Sequence, residues 1–88
     1  MANKEYWNNY GYVLASKYRK AILKALTERP RTPTEIANQL KCNVSHVSRS
    51  LRELQKRNLI KCINPHRRKG KVYDATDKGL KIGKAMLG

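Results

Sequence analysis

Apolar residues recur along this chain at two spacings, and the change from one to the other marks its elements. Tyr6, Trp7, Tyr10, Val13 and Leu14 fall on one side of a helical wheel, predicting a helix over Lys4 to Leu14. Ser16 is placed to cap a second helix over 17–28, with Tyr18, Ile22, Leu23 and Leu26 facing inward. Pro30 ends it, because the residue before a proline is pushed out of helical conformation, and Arg31 is left for a short extended stretch. Thr32-Pro33-Thr34-Glu35 reads as a capping box with proline at the first helical position, ahead of Ile36, Ala37 and Leu40. Lys41-Cys42-Asn43 is a turn, after which Ser45 is expected to cap a fourth helix. Val44, Val47, Leu51 and Leu54 form its apolar stripe. The opposite side carries Ser45, Arg49, Arg52, Glu53 and Lys56, with His46 and Ser48 at its edges.

Beyond Asn58, expected as a left-handed cap, the spacing changes. Leu59 to Ile63 and Lys71 to Ala75 read as strands, joined by Asn64-Pro65-His66-Arg67-Arg68-Lys69-Gly70 into a hairpin with a cationic tip. Thr76 then caps a helix over 77–87, with Asp77 suited to its positive end. Lys78, Lys81 and Lys84 line one side of that helix. Gly79, Leu80, Ile82, Gly83, Met86 and Leu87 cover a face too broad for one neighbour, and the two glycines would admit a second helix closely. The pattern as a whole predicts a mainly α chain with a small β-hairpin (α+β). It is expected to form one domain over 1–88, with the segments 1–15 and 77–88 flanking its core.

Composition changes the picture in one respect: charge. Twenty Lys and Arg oppose six acids, for a net charge of +14 and a pI near 10.3. Such an excess repels itself unless an anionic partner, most often a nucleic acid, relieves it. Residues 64–73 carry four bases and no acid, the densest block in the chain. A domain this short buries only about 60–65% of its unfolded surface, so a partner subunit would help. Five of the six aromatics stand in the first eighteen residues, where they can close the domain's own core, meet a second copy, or both. No apolar run reaches the ~18 residues of a membrane span, and the first ten residues lack the apolar core of a signal peptide. A cytoplasmic, nucleoid-associated protein is expected.

Five short stretches, in order, resemble the winged helix-turn-helix regulators of the ArsR/MarR type, particularly small archaeal-style ones. They are Ser16 to Leu23, Thr34 to Ala37, Val47 to Leu54, Asn58 to Ile60 and Tyr73 to Gly79. The resemblance covers about residues 13 to 80. It implies a recognition helix over about 45–57 in the major groove of double-stranded DNA and a basic wing over 64–71 on the flanking backbone or minor groove. Arg49 and Arg52 would read bases, since a guanidinium can bond guanine twice, with Ser45, His46 and Ser48 near the entering end and Lys56 further along. Thr32 and Thr34 would help the third helix hold a phosphate, and Arg67, Arg68, Lys69 and Lys71 would grip the backbone. A homodimer would form through Tyr6, Trp7, Tyr10, Leu80, Met86 and Leu87.

Other chemistries find less support. Cys42 with His46, and Cys62 with His66, lack the close paired spacing of structural zinc ligands. Metal-sensing relatives use a Cys-x-Cys in the helix before the recognition helix, where this chain has Ile36-Ala37-Asn38. No metal or cofactor is expected. Two cysteines twenty residues apart make no disulfide framework. Without a nucleophile-base-acid set, a glycine-rich phosphate loop or paired carboxylates, an enzyme is not expected. Three functions stay open: a sequence-specific dimeric transcriptional regulator, an architectural chromatin-like protein that coats DNA, and an RNA-binding winged helix. The last would want stacking aromatics beside the basic face, and here they lie at the other end of the chain.

Overall fold

The second helix is the piece against which the others are laid. A computed structural model describes residues 4–87; residues 1–3 and 88, at the ends of the expected terminal segments, lie outside the described residues. The elements are α1 (Lys4–Leu14), α2 (Lys17–Glu28), α3 (Pro33–Leu40), α4 (Val44–Lys56), β1 (Ile60–Cys62), β2 (Tyr73–Ala75) and α5 (Asp77–Leu87). Ile22, Leu23, Ala25 and Leu26 cover more than one face of α2, so it packs on α1, α4 and α5 and on the hairpin together. Around it close Val13, Ile36, Val47, Leu51, Leu54, Leu59, Ile60 and Ile82, all essentially excluded from solvent. Burial on that scale, at about 1.5–3 kcal/mol per large side chain, is what opposes the self-repulsion of the net charge.

Local chemistry sets the element ends much as expected. Ser16 accepts the Arg19 N–H at 3.3 Å. In the capping box, Thr32 Oγ accepts the Glu35 N–H at 3.1 Å while the Glu35 carboxylate accepts the Thr32 N–H at 2.8 Å. Asn58 takes its left-handed conformation (φ 60), and the Thr76 hydroxyl caps α5 through the Gly79 N–H at 3.2 Å.

Several details differ. Lys41 also turns left-handed (φ 55), so the chain reverses sooner and α4 starts at Val44. Asn43, not Ser45, is the N-cap, and its side chain makes no capping bond. Val44 therefore stands 49% exposed instead of completing the apolar stripe, and the small Ser50 is buried in the face that was assigned to it. Tyr18 does pack against the core but stays half-buried, its ring also lying across His46. The strands are shorter than expected, pairing Ile60 with Ala75, Lys61 with Asp74 and Cys62 with Tyr73. Arg31 adds a rung, its N–H and C=O both bonded to Tyr73 at 3.0 and 2.8 Å.

The glycines of α5 do admit a close neighbour, and it is internal. A Cβ on Gly79 would sit 1.9 Å from the Leu59 carbonyl, and one on Gly83 1.9 Å from the Thr27 hydroxyl. The broad face of α5 is thus shared between α2 and α1, with Lys78 paired to Glu5 at 3.1 Å.

Candidate nucleic-acid interface

Helix α4 divides cleanly. Val47, Ser50, Leu51 and Leu54 are buried, while Ser45, His46, Arg49, Arg52 and Lys56 are exposed and Ser48 is half-buried. Among the described residues, neither Arg49 nor Arg52 makes an intramolecular hydrogen bond or ion pair. The acid on that helix is treated differently. Glu53 is bound by Arg19 of α2 at 3.2 Å, so its charge is answered from inside the molecule. The outward side of α4 is therefore uniformly cationic or neutral.

A shallow cleft shows what that side adjoins. It is lined by Pro33 at the start of α3, by Ser48, Leu51, Arg52 and Gln55 of α4, and by Tyr73 of β2. Ser48 and Arg52 are thus brought together with strand β2 of the hairpin, while the loop over 64–71 does not line this cleft. Tyr73 was not foreseen there. Burial, and next the Cys62 thiol, push its phenol above the ordinary tyrosine value while Arg52 pulls the other way. It remains an O–H donor at neutral pH, a type of group that bonds phosphate oxygens. Lys56 lies apart from this cleft, in a groove with Glu5, Asn8, Asn9, Arg57 and Asn58.

The hairpin loop is shaped by one side chain. Asn64 Oδ1 accepts the Val72 N–H at 2.7 Å, and its amide nitrogen donates to the Gly70 carbonyl at 3.1 Å, where Gly70 turns with φ +69. That clamp closes the loop and leaves Pro65 to Gly70 exposed. Arg67 folds back, its Nε donating to the Lys69 carbonyl at 3.2 Å. Arg68 and Lys69 project freely, and Lys71 is half-buried at the strand. In the sequence Asn64 was legible as a turn former but not as the clamp.

At the start of α3 the residues compete with the role expected of them. Pro33 has no N–H, the Glu35 N–H goes to Thr32, and the Ile36 N–H goes to the Thr32 carbonyl at 3.0 Å. Thr34 alone keeps both a free N–H and an exposed hydroxyl. The Thr32 backbone hydrogen bond, foremost, holds the Glu35 carboxyl below the usual glutamate range, so a fixed negative charge already occupies this end. His46 stacks on Tyr18, ring centres 5.1 Å apart and nearly parallel, which fixes it at the first turn of α4. Among the described residues no group of three or more His, Cys, Asp or Glu side chains could hold a metal ion, and Cys42 and Cys62 are free.

Of the six residues named for a subunit contact, Trp7 (58%) and Leu87 (51%) are exposed. Tyr6, Tyr10, Leu80 and Met86 are partly covered by the protein's own core. Tyr6, Trp7 and Tyr10 form a cluster with ring centres 4.9 to 6.0 Å apart. No helix among the described residues is long and apolar enough to cross a membrane.

Known proteins agree with this architecture. A family model described as the HVO_A0261 N-terminal domain matches residues 7–86. Comparison with curated proteins gives no match. Among solved structures, wild-type ZitR of Lactococcus lactis in complex with DNA is 29% identical with a TM-score of 0.68, over 76% of this chain and 47% of that one. A mutant form of ZitR gives 28% identity and a TM-score of 0.73, over 82% and 50%. The chain spans about half the length of the ZitR chains it matches. The homodimeric winged helix-turn-helix DNA-binding domain of Mb0332 from Mycobacterium bovis shares the fold at 22% identity and a TM-score of 0.72, over 93% and 75%. HlyU of Vibrio cholerae does so at 18% and 0.68, over 90% and 89%. With three helices, a hairpin and flanking helices in this order, the chain belongs to the HVO_A0261 N-terminal domain family, and it has the winged helix-turn-helix fold that these structures share.

Proposed function

We propose that this protein is a sequence-specific, dimeric regulator of transcription that reads duplex DNA with α4. One observation carries the reading: Arg49 and Arg52 stand exposed and uncommitted on a helix whose acid is already paired, and Arg52 lines a cleft with Tyr73 of the hairpin. Guanidinium groups so placed can bond guanine O6 and N7 in the major groove, and the exposed Val44 can meet a thymine methyl. Ser45, His46 and Ser48 lie at the entering end. Arg68 and Lys69 grip the flanking backbone, with Arg67 and Lys71 beside them and Lys56 near the far end of the helix. Thr34, and less so Thr32, contributes a phosphate contact from α3. The complex of ZitR with DNA supports the same use of the fold.

The dimer would form through the exposed Trp7 and Leu87, with Tyr6, Tyr10, Leu80 and Met86 contributing the edges they do not bury at home. A DNA-coating role is the second reading, favoured by the exposed Lys81 and Lys84 of α5, cations outside α4 and the hairpin loop. Selection from a random duplex pool at two salt concentrations, with molar mass measured by light scattering, separates the two. A palindromic motif that persists at high salt, bound by a dimer, is the expected result. An unenriched pool, with affinity falling about 0.9 log units per log salt for each phosphate contacted, would establish the coating protein instead.

A further inference from the structure

Glu53 lies four residues from two arginines, Arg49 before it and Arg57 after it, the spacing at which a helix pairs opposite charges. Neither pair forms. The Arg19 guanidinium takes the carboxylate at 3.2 Å, across thirty-four residues of sequence. Arg19 is itself immobilised: its Nε donates to the Tyr12 carbonyl at 2.8 Å, and its guanidinium lies 3.9 Å from the centre of the Tyr12 ring. Its side chain is only 13% exposed, so it cannot reach out to a phosphate. Arg57 is held as well, 3.8 Å from the same ring centre and donating to the buried Asn9 at 3.3 Å. Two guanidinium groups that close to one ring must lie on its opposite faces. The result is a clasp of Tyr12, Arg19, Arg57 and Asn9 at the inner flank of α4.

We propose that Arg19 is a positioning residue for the DNA-reading face: by engaging Glu53 it prevents the i,i+4 pairing of Glu53 with Arg49 and leaves Arg49 available for DNA. The role depends on Arg49 meeting DNA, as proposed above. Without Arg19, the freed carboxylate has one uncommitted arginine within reach on its own helix, and it stands unneutralised beside the approaching phosphates. Both effects weaken binding, and the first also weakens base discrimination. A residue that never touches DNA would then set how well the protein chooses its site.

The test is a double-mutant cycle read on two probes, a duplex enriched from a random pool and the unselected pool itself. Arg19→Gln is expected to weaken binding to the enriched duplex by about three- to fivefold, and to the pool by less. Adding Glu53→Gln should return affinity to within about twofold of the wild type, because the competing carboxylate is gone. Glu53→Gln alone, with Arg19 in place, should change little. Arg19→Lys keeps a charge opposite Glu53 and should preserve binding, which guards against an Arg19→Gln variant that is merely unfolded; circular dichroism checks each form. A loss that Glu53→Gln fails to rescue would mean that Arg19 acts some other way and would overturn the proposal, as would an Arg19→Gln variant that binds normally. If Arg49→Ala weakens binding while Arg19→Gln does not, only the role of Arg19 is lost. If Arg49→Ala is silent on both probes, the DNA-reading assignment fails and takes this role with it.

Discussion

The two flanks of α4 carry the same kind of side chain and treat it in opposite ways. On the inner flank, Arg19 and Arg57 are stacked and bonded; elsewhere, beside strand β2, Arg31 is buried with its guanidinium on the Ala25 carbonyl at 3.0 Å and the Glu28 carboxylate at 2.7 Å. On the outer flank, Arg49 and Arg52 are exposed, and among the described residues neither makes a hydrogen bond or ion pair. A net charge of +14 therefore overstates what an anionic partner can use, because part of it is spent on joining α1, α2 and α4. Burial and geometry decide which arginines are structural and which are available; residue type does not. Substitutions of the engaged arginines should cost stability, with Arg19 also reaching binding through Glu53, and those on the outer side should cost only binding.

The largest effect tests the fitted side. Gly79→Ala places a methyl group against the Leu59 carbonyl, a backbone atom that cannot rotate away, and is expected to lower stability by about 3 kcal/mol in urea titration. A neutral result would show that α5 can slide and that the floor beneath the hairpin is loose. Next comes a crossover. Arg31→Leu should cost about 2 kcal/mol of folding free energy, by loss of charged hydrogen bonds, with DNA affinity unchanged once folded. Arg49→Ala should do the reverse, leaving the melting curve within about 0.5 kcal/mol and costing about 1–3 kcal/mol of binding to an enriched duplex. If the two substitutions behaved alike, the division between engaged and available arginines would be wrong.

Smaller effects sharpen the boundary. Asn64→Ala removes the loop clamp and should cost about 1 kcal/mol, with faster amide exchange confined to residues 64–72. The last prediction concerns pH. The Glu35 carboxyl titrates below its unfolded value, so its contribution to stability is complete above the ordinary glutamate range and is lost as pH falls through the folded value. Glu35→Gln should lower the neutral plateau of the stability profile, leave its most acidic end unchanged, and so flatten the acid limb between them. An unaltered acid limb would show that the capping carboxylate contributes nothing in solution.

Much of the architecture was legible because it rests on local rules. Thr32, Pro33 and Glu35 announce the start of α3 within four residues, and Asn58 and Thr76 mark ends through preferences of a single residue. Where the reading slipped, a neighbour had intervened. Ser45 is a good N-cap in isolation, but the left-handed turn at Lys41 delivers Asn43 to that position first. Val44 matches the apolar stripe in spacing, yet at the first position of the helix no core lies beneath it. Glu53 looks outward on a wheel, and only the placement of α2 shows that it is engaged.

The order of helices and hairpin, the caps between them and the cationic run of residues 64–71 were determined by sequence alone, since propensity, periodicity and turn chemistry act over a few neighbouring residues. Which arginines are free, where Glu53 is held, and how Asn64 and Tyr73 shape the groove were decided only by tertiary structure. Those outcomes depend on side chains brought together from distant parts of the chain, and no local rule carries that information.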